Sequence, residues 1–165
     1  MSASRYLPVS PGLLQTNLGE LEHSPRGYSP DELRTMARSI CDVYTRMDAG
    51  ATSDGLLALR QSADPHERSV GEAYASVFRG RDSSHPLRAD VVDGRLVVDS
   101  GNHRVRAAQD LGIRALPVQV RGRDAAEIGR AEARNAQAIG PDYPRLRDNT
   151  DRSAGQHTRE RPRGR

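Results

Sequence analysis

Residues 101–104, Gly-Asn-His-Arg, with Arg106 two positions on, bring an imidazole, two guanidinium groups and a conformationally free glycine into six positions. Such a set suits an anion. Asp99-Ser100 reads as a strand end and Asn102 as a helix start, so the unpaired N–H groups of the first turn and the positive end of the helix dipole meet at Gly101. Phosphate is the natural guest of that geometry. Gly101 allows the close approach a side chain would block. His103 and Arg104 stand where the dipole disfavours cations, and an anion would neutralise them. Arg106 is within reach from the next turn.

Catalytic candidates are sparser. Glu20 and Glu22 sit in a loop after the first strand. If that loop folds over Gly101, either would serve as general base or hold Mg²⁺ near phosphate oxygens. His103 is the third candidate. His85 precedes Pro86 in a loop and reads as solvated. Glu67 reads as a helix-capping acceptor rather than a catalytic group. Cys41, the one cysteine, excludes an internal disulfide or a multi-cysteine metal site, and its place beside an apolar stripe marks it as a core residue. No local Walker loop, zinc signature or Ser-His-Asp set is present, and no metal site belonging to the chain itself is expected.

The elements that must position Gly101 follow from pattern. Arg95–Ser100 and Leu87–Val92 form a hairpin around Asp93-Gly94, a favoured type I′ pair. The expected register sets Val92 against Arg95, Val91 against Leu96, Ala89 against Val98 and Leu87 against Ser100, with Arg88 across from Asp99 on the outer face. A helix over 102–111 follows, with Val105, Ala108 and Leu111 inward and Gly112 as its stop. Leu116–Val120 is the returning strand, and strand, helix and strand make a minimal crossover unit, expected to be right-handed. Upstream, residues 5–9 read as a short strand with Pro8 at an edge or end, and a loop runs on to Arg26. Ser29-Pro30-Asp31-Glu32 and Asp64-Pro65-His66-Glu67 carry helix-start grammar. They open amphipathic helices to Asp48 and to Phe78, the second stopped by Gly80, with a short apolar turn at Leu56–Leu59 between them. Residues 124–139 form an Ala-rich helix.

At 165 residues, 35% hydrophobic and 4% aromatic, the chain supports one domain whose core is built of Leu, Val, Ile and Ala. All of its basic residues are Arg. Seven of them fall in 142–165 against four carboxylates, which accounts for the whole net charge of +3. The preceding residues are neutral overall, so diffuse attraction to nucleic acid belongs to the tail, 141–165, which is polar and expected to be disordered. No apolar run reaches the length that spans a bilayer. No signal-peptide layout opens the chain. No membrane partner and a cytoplasmic location are therefore expected.

Asp99-Ser100-Gly101-Asn102-His103-Arg104-Val105-Arg106-Ala107-Ala108, with Leu111-Gly112 and Leu116-Pro117-Val118 after it, resembles the ParB/sulfiredoxin superfamily. The similarity is strongest over 84–120. The chain keeps the glycine, both arginines and both alanines of the ParB N-terminal box, and places Asn102 and His103 where ParB has Glu and Arg. Gly-x-His-Arg is similar to the form in sulfiredoxins and free-serine kinases of this fold. The resemblance implies an α+β (mixed α/β) ParB/sulfiredoxin-like domain over 1–140, with a helical insertion at about 29–80. It also implies that Gly101, Asn102, His103 and Arg104 cradle nucleotide phosphates, ATP or CTP with Mg²⁺, for binding, phosphoryl transfer or hydrolysis. Asn102 stands where sulfiredoxins place their reactive cysteine, which argues against sulfinic-acid reduction. One Ala-rich helix stands where partition proteins continue into a DNA reader. Two other readings stay open: a non-catalytic accessory protein that binds DNA backbone phosphate through the box and the Arg-rich tail, and a ParB-like nuclease.

Overall fold

The computed structural model of the chain describes residues 2–79 and 83–140. The Arg-rich segment 141–165, with the disorder and DNA contact expected of it, and the helix stop expected at Gly80 lie outside the described residues. Within those residues the fold is α+β, with five α-helices and one five-stranded mixed sheet. No helix among them is long and apolar enough to cross a membrane.

The strands are β1 (Ala3–Val9), β2 (Leu14–Gln15), β3 (Arg88–Val92), β4 (Arg95–Ser100) and β5 (Leu116–Gly122), standing in the order β1-β5-β3-β4-β2. Pro8 lies in the edge strand β1, where its missing N–H costs no second ladder. The β3–β4 turn has positive φ at both Asp93 (50°) and Gly94 (76°), as a type I′ turn requires. Val92, Val91 and Ala89 pair with Arg95, Leu96 and Val98 as expected.

Beyond Ala89 the register departs from expectation. A bulge shifts it, so that Arg88, not Leu87, faces Ser100, and the Arg88–Asp99 pair does not form. Asp99 instead accepts a hydrogen bond from Arg121 Nη2 at 2.8 Å, while Arg88 Nε donates to Gln119 Oε1 at 3.1 Å. A bulge bends the strand and redirects the residues that follow, and these lead directly into Gly101.

The crossover also differs. β3 pairs parallel with β5 and antiparallel with β4, so β4 and β5 run in opposite directions and are not neighbours. The parallel connection runs from β3 to β5, with β4 and the following helix inside it. The stretch read as a plain loop up to Arg26 contains a 3₁₀ turn at Pro11–Leu13 and the two-residue strand β2, which covers the outer edge of β4.

The helices are α1 (Pro30–Asp48), α2 (Ser53–Ala58), α3 (Pro65–Ala73), α4 (Asn102–Asp110) and α5 (Ala125–Ile139). Where only an apolar turn was expected, α2 forms because the Thr52 hydroxyl accepts from Gly55 N at 3.1 Å. The second amphipathic helix is regular only to Ala73 and then loosens into a π turn, Tyr74–Phe78. Leu7, Val9, Ala89, Leu96, Val98 and Val118 of the sheet share one buried cluster with Leu33, Ile40 and Val43 of α1, Val105 of α4 and Ile128 of α5. Phe78 sits edge-on to Tyr44 at 4.9 Å between ring centroids, joining the π turn to α1.

Asp64 caps α3 by accepting from His66 N at 2.8 Å and Glu67 N at 3.3 Å. Asp64→Ala is therefore expected to cost about 1 kcal/mol of stability, read as a lower urea midpoint with unchanged slope.

Candidate functional site

Four of the five α-helices are capped by a side chain. Ser29, Thr52, Asp64 and Asp124 each accept from an N–H of the turn that follows, and each of those first turns carries an acidic residue. The N-terminus of α4 has neither device. Its cap is Gly101, which has no side chain to accept, and its first turn holds His103 and Arg104 with no carboxylate. The first N–H to find a partner is that of Val105, bonded to Gly101 O at 2.9 Å. Among the described residues nothing accepts from the N–H groups of Asn102, His103 or Arg104. Three donors and the positive end of the dipole thus face one point.

That point is the wall of a cleft of about 800 Å³, within the size range of small-molecule sites. Ser100, Gly101, Asn102, His103 and Arg104 all line it. Gly101 holds the corner at φ 96° and ψ 24°, a left-handed conformation that favours glycine. A Cβ there would lie 2.4 Å from Leu87 Cδ2 and 3.2 Å from Arg104 Nη2. Asn102 Oδ1 accepts from Asn17 N at 3.1 Å, tying the early loop to the helix start.

Arg104 is the most unusual charge in the cleft. Its guanidinium lines the wall, half-buried, and donates through Nη1 to the carbonyl of His85 at 2.8 Å. The backbone of His85 is itself held by a bond from its N–H to Ser76 O in the π turn, at 3.0 Å. No Asp or Glu among the described residues pairs with Arg104. Burial pulls its pKa down to about 10, and the nearby positive charge of Arg26 adds to the shift. It stays protonated at neutral pH. The result is a partly desolvated cation with one carbonyl partner and no counter-charge among the described residues, which an anion would complete.

The same field acts on His85, whose pKa is lowered by burial and by Arg26 and Arg104. A histidine depressed below its usual 6.5 binds fewer protons folded than unfolded, so this group costs stability as pH falls through 6.5 toward its folded value. A phosphate in the cleft reverses the local field and raises His85. The His85-dependent part of anion affinity is therefore expected to strengthen as pH falls through 6.5 and to be lost in His85→Gln, measured by calorimetric titration of both proteins with the same ligand.

The remaining expected residues are placed elsewhere. Arg106 turns along its own helix to pair with Asp110 at 3.1 Å and does not line the cleft. Glu20 and Glu22 are exposed and do not reach the cleft, although Asn17, Ser24, Arg26 and Tyr28 of the same loop do. The carboxylates that do line it are Glu72 and Asp99, held by Arg60 Nε at 3.0 Å and Arg121 Nη2 at 2.8 Å. Residue spacing gave no sign of Arg26, Tyr28, Glu72 or His85 as site residues, because three separate elements bring them to Gly101. Among the described residues no group of three His, Cys, Asp or Glu side chains gathers to hold a metal. Cys41 lies outside the cleft, and burial beside Asp42 pushes its thiol up to about 11, away from thiolate chemistry.

No family model matches this chain, and comparison with curated proteins and with solved structures finds no match.

Proposed function

We propose that this protein binds nucleotide phosphates, with the N–H groups of Asn102, His103 and Arg104 and the Arg104 guanidinium as the phosphate cradle. One observation carries the reading: the only α-helix among the described residues with no side-chain cap opens onto a cleft beside a half-buried arginine that has no carboxylate partner among them. Each feature alone is costly, and a phosphate offsets both. The similarity of the Gly101–Arg104 box to the ParB/sulfiredoxin superfamily supports the same reading, and ATP and CTP are the nucleotides it suggests.

Mg²⁺ would enter on the phosphate oxygens, as this ion usually does, with Glu72 and Asp99 as the nearest carboxylates of the cleft. Supplied that way, it would neutralise phosphate charge. The chain's own contribution is to orient the phosphate against fixed donors in a partly dry cleft. That arrangement favours binding, and it would also favour the charge development of phosphoryl transfer if a base were supplied. His103, in the first turn of α4 and on the cleft wall, is the residue we would test for that task.

A thermal-shift panel of ATP, ADP and CTP with Mg²⁺, alongside duplex DNA, tests the proposal. At about 100 times Kd a nucleotide stabilises by about 2.7 kcal/mol, a rise of several degrees in Tm. No shift with any nucleotide, together with DNA affinity that vanishes when residues 142–165 are removed, would replace it with the DNA-accessory reading.

A further inference from the structure

The cleft has a second prepared feature, facing the α4 N-terminus from the early loop. Residues Ser24 to Tyr28 form a closed turn: Ser24 N donates to Tyr28 O at 3.0 Å, Gly27 N to Ser24 O at 2.9 Å, and Tyr28 N to Ser24 Oγ at 3.1 Å. Gly27 supplies the left-handed φ of 88° that closes it. The next residue, Ser29, caps α1, so the turn is anchored to a long helix. Such a turn is built to hold its side chains in place, and it holds Arg26 and Tyr28 on the cleft wall.

Neither side chain forms a hydrogen bond or an ion pair among the described residues. Tyr28 is 39% exposed, one of few large apolar side chains left in solvent, and burying its ring elsewhere would stabilise the fold. Arg26 forms no ion pair among the described residues, yet it stands close enough to Arg104 and His85 to lower the pKa of both. Two guanidinium groups on one cleft wall, neither in an ion pair among the described residues, repel each other. One phosphate answers one of them. A ligand with two or more linked phosphates answers both and still leaves the exposed ring for a flat partner.

Building on the phosphate-binding reading above, we infer that the Ser24–Tyr28 turn is the other half of the site and that its ligand is a nucleoside di- or triphosphate, with the base stacked on Tyr28 and a second phosphate at Arg26. Stacking reads the face of a base rather than its edge, so this half of the site tolerates both purines and pyrimidines. The α4 N-terminus grips, Arg26 counts phosphates, and Tyr28 distinguishes a nucleotide from a bare polyphosphate.

Calorimetric titration of the full chain with ADP, AMP and inorganic tripolyphosphate tests this. Tyr28→Ala should weaken ADP by about tenfold or more and leave tripolyphosphate within about twofold, while Tyr28→Phe keeps ADP affinity. Arg26→Ala should weaken ADP more than AMP. Equal losses for ADP and tripolyphosphate in Tyr28→Ala, or no loss for either, would overturn the base assignment. Wild-type protein that binds tripolyphosphate as tightly as ADP would leave the phosphate cradle standing and remove the base site. Wild-type protein that binds neither would remove the cradle, and this inference with it.

Discussion

Arg104→Met is expected to weaken nucleotide binding by about 100-fold or more while leaving the ligand-free protein as stable as the wild type or more so. The two halves of this result have one cause. In the free protein the guanidinium is partly desolvated, with the carbonyl of His85 as its hydrogen-bond partner and no counter-charge among the described residues. A charge partly removed from water with no counter-charge is costly to the free protein, so an apolar side chain of similar length relieves that cost. In the complex the same charge meets phosphate, and removing one side of a buried charge pair costs about 2–5 kcal/mol. Arg104→Lys should fall between, since an ammonium keeps the charge and loses the planar fork. Urea denaturation of the free protein and calorimetry with ADP separate the effects. A variant that loses stability and binding together would point to a structural role for Arg104.

Gly101→Ala is expected to destabilise the fold by about 2–5 kcal/mol and to abolish nucleotide binding. The first contribution is conformational. Alanine at φ 96° enters a region that costs L-residues about 1–2 kcal/mol. The second is steric. The new Cβ would meet Leu87 Cδ2 at 2.4 Å, and Leu87 is fully buried, so either that side chain or the corner must move, at about 1–3 kcal/mol. The corner sets the three free N–H groups, so its movement disperses them. Gly129, inside α5 with nothing near its would-be Cβ, is the internal control. Gly129→Ala should stabilise by about 0.5–1 kcal/mol through helix propensity. Opposite signs for the same substitution would place the effect at Gly101 in the site rather than in the chemistry of glycine.

Much of this arrangement is legible in the sequence where local rules act alone. Asp93-Gly94 requires a type I′ turn, and the pairing from Val92–Arg95 to Ala89–Val98 follows. Ser29-Pro30 and Asp64-Pro65 open α1 and α3 where their capping chemistry places them. Gly101-Asn102 marks the strand-to-helix corner for the same reason. The rest depends on competition between distant residues. Arg88 and Asp99 are opposite in charge and close in chain, but Arg121 of β5 binds Asp99 and Asp90 together, and the register slips to suit. Arg106 carries the right charge for the cleft and is claimed by Asp110 one turn on. Glu20 and Glu22 lie in the loop that reaches the cleft, yet its turn at Ser24–Tyr28 delivers Arg26 and Tyr28 instead. Sequence spacing shows what a single element presents, whereas a cleft walled by α4, the π turn and the early loop depends on packing.

On the proposed function, the first turn of α4 binds phosphate through its own backbone N–H groups. Titrating the ¹⁵N-labelled protein with inorganic pyrophosphate and following the amide resonances tests it most directly. The largest changes, with downfield proton shifts, are expected at Asn102, His103 and Arg104, and are expected to be lost in Arg104→Met. Saturable binding whose changes fall elsewhere and leave these three amides still would contradict it.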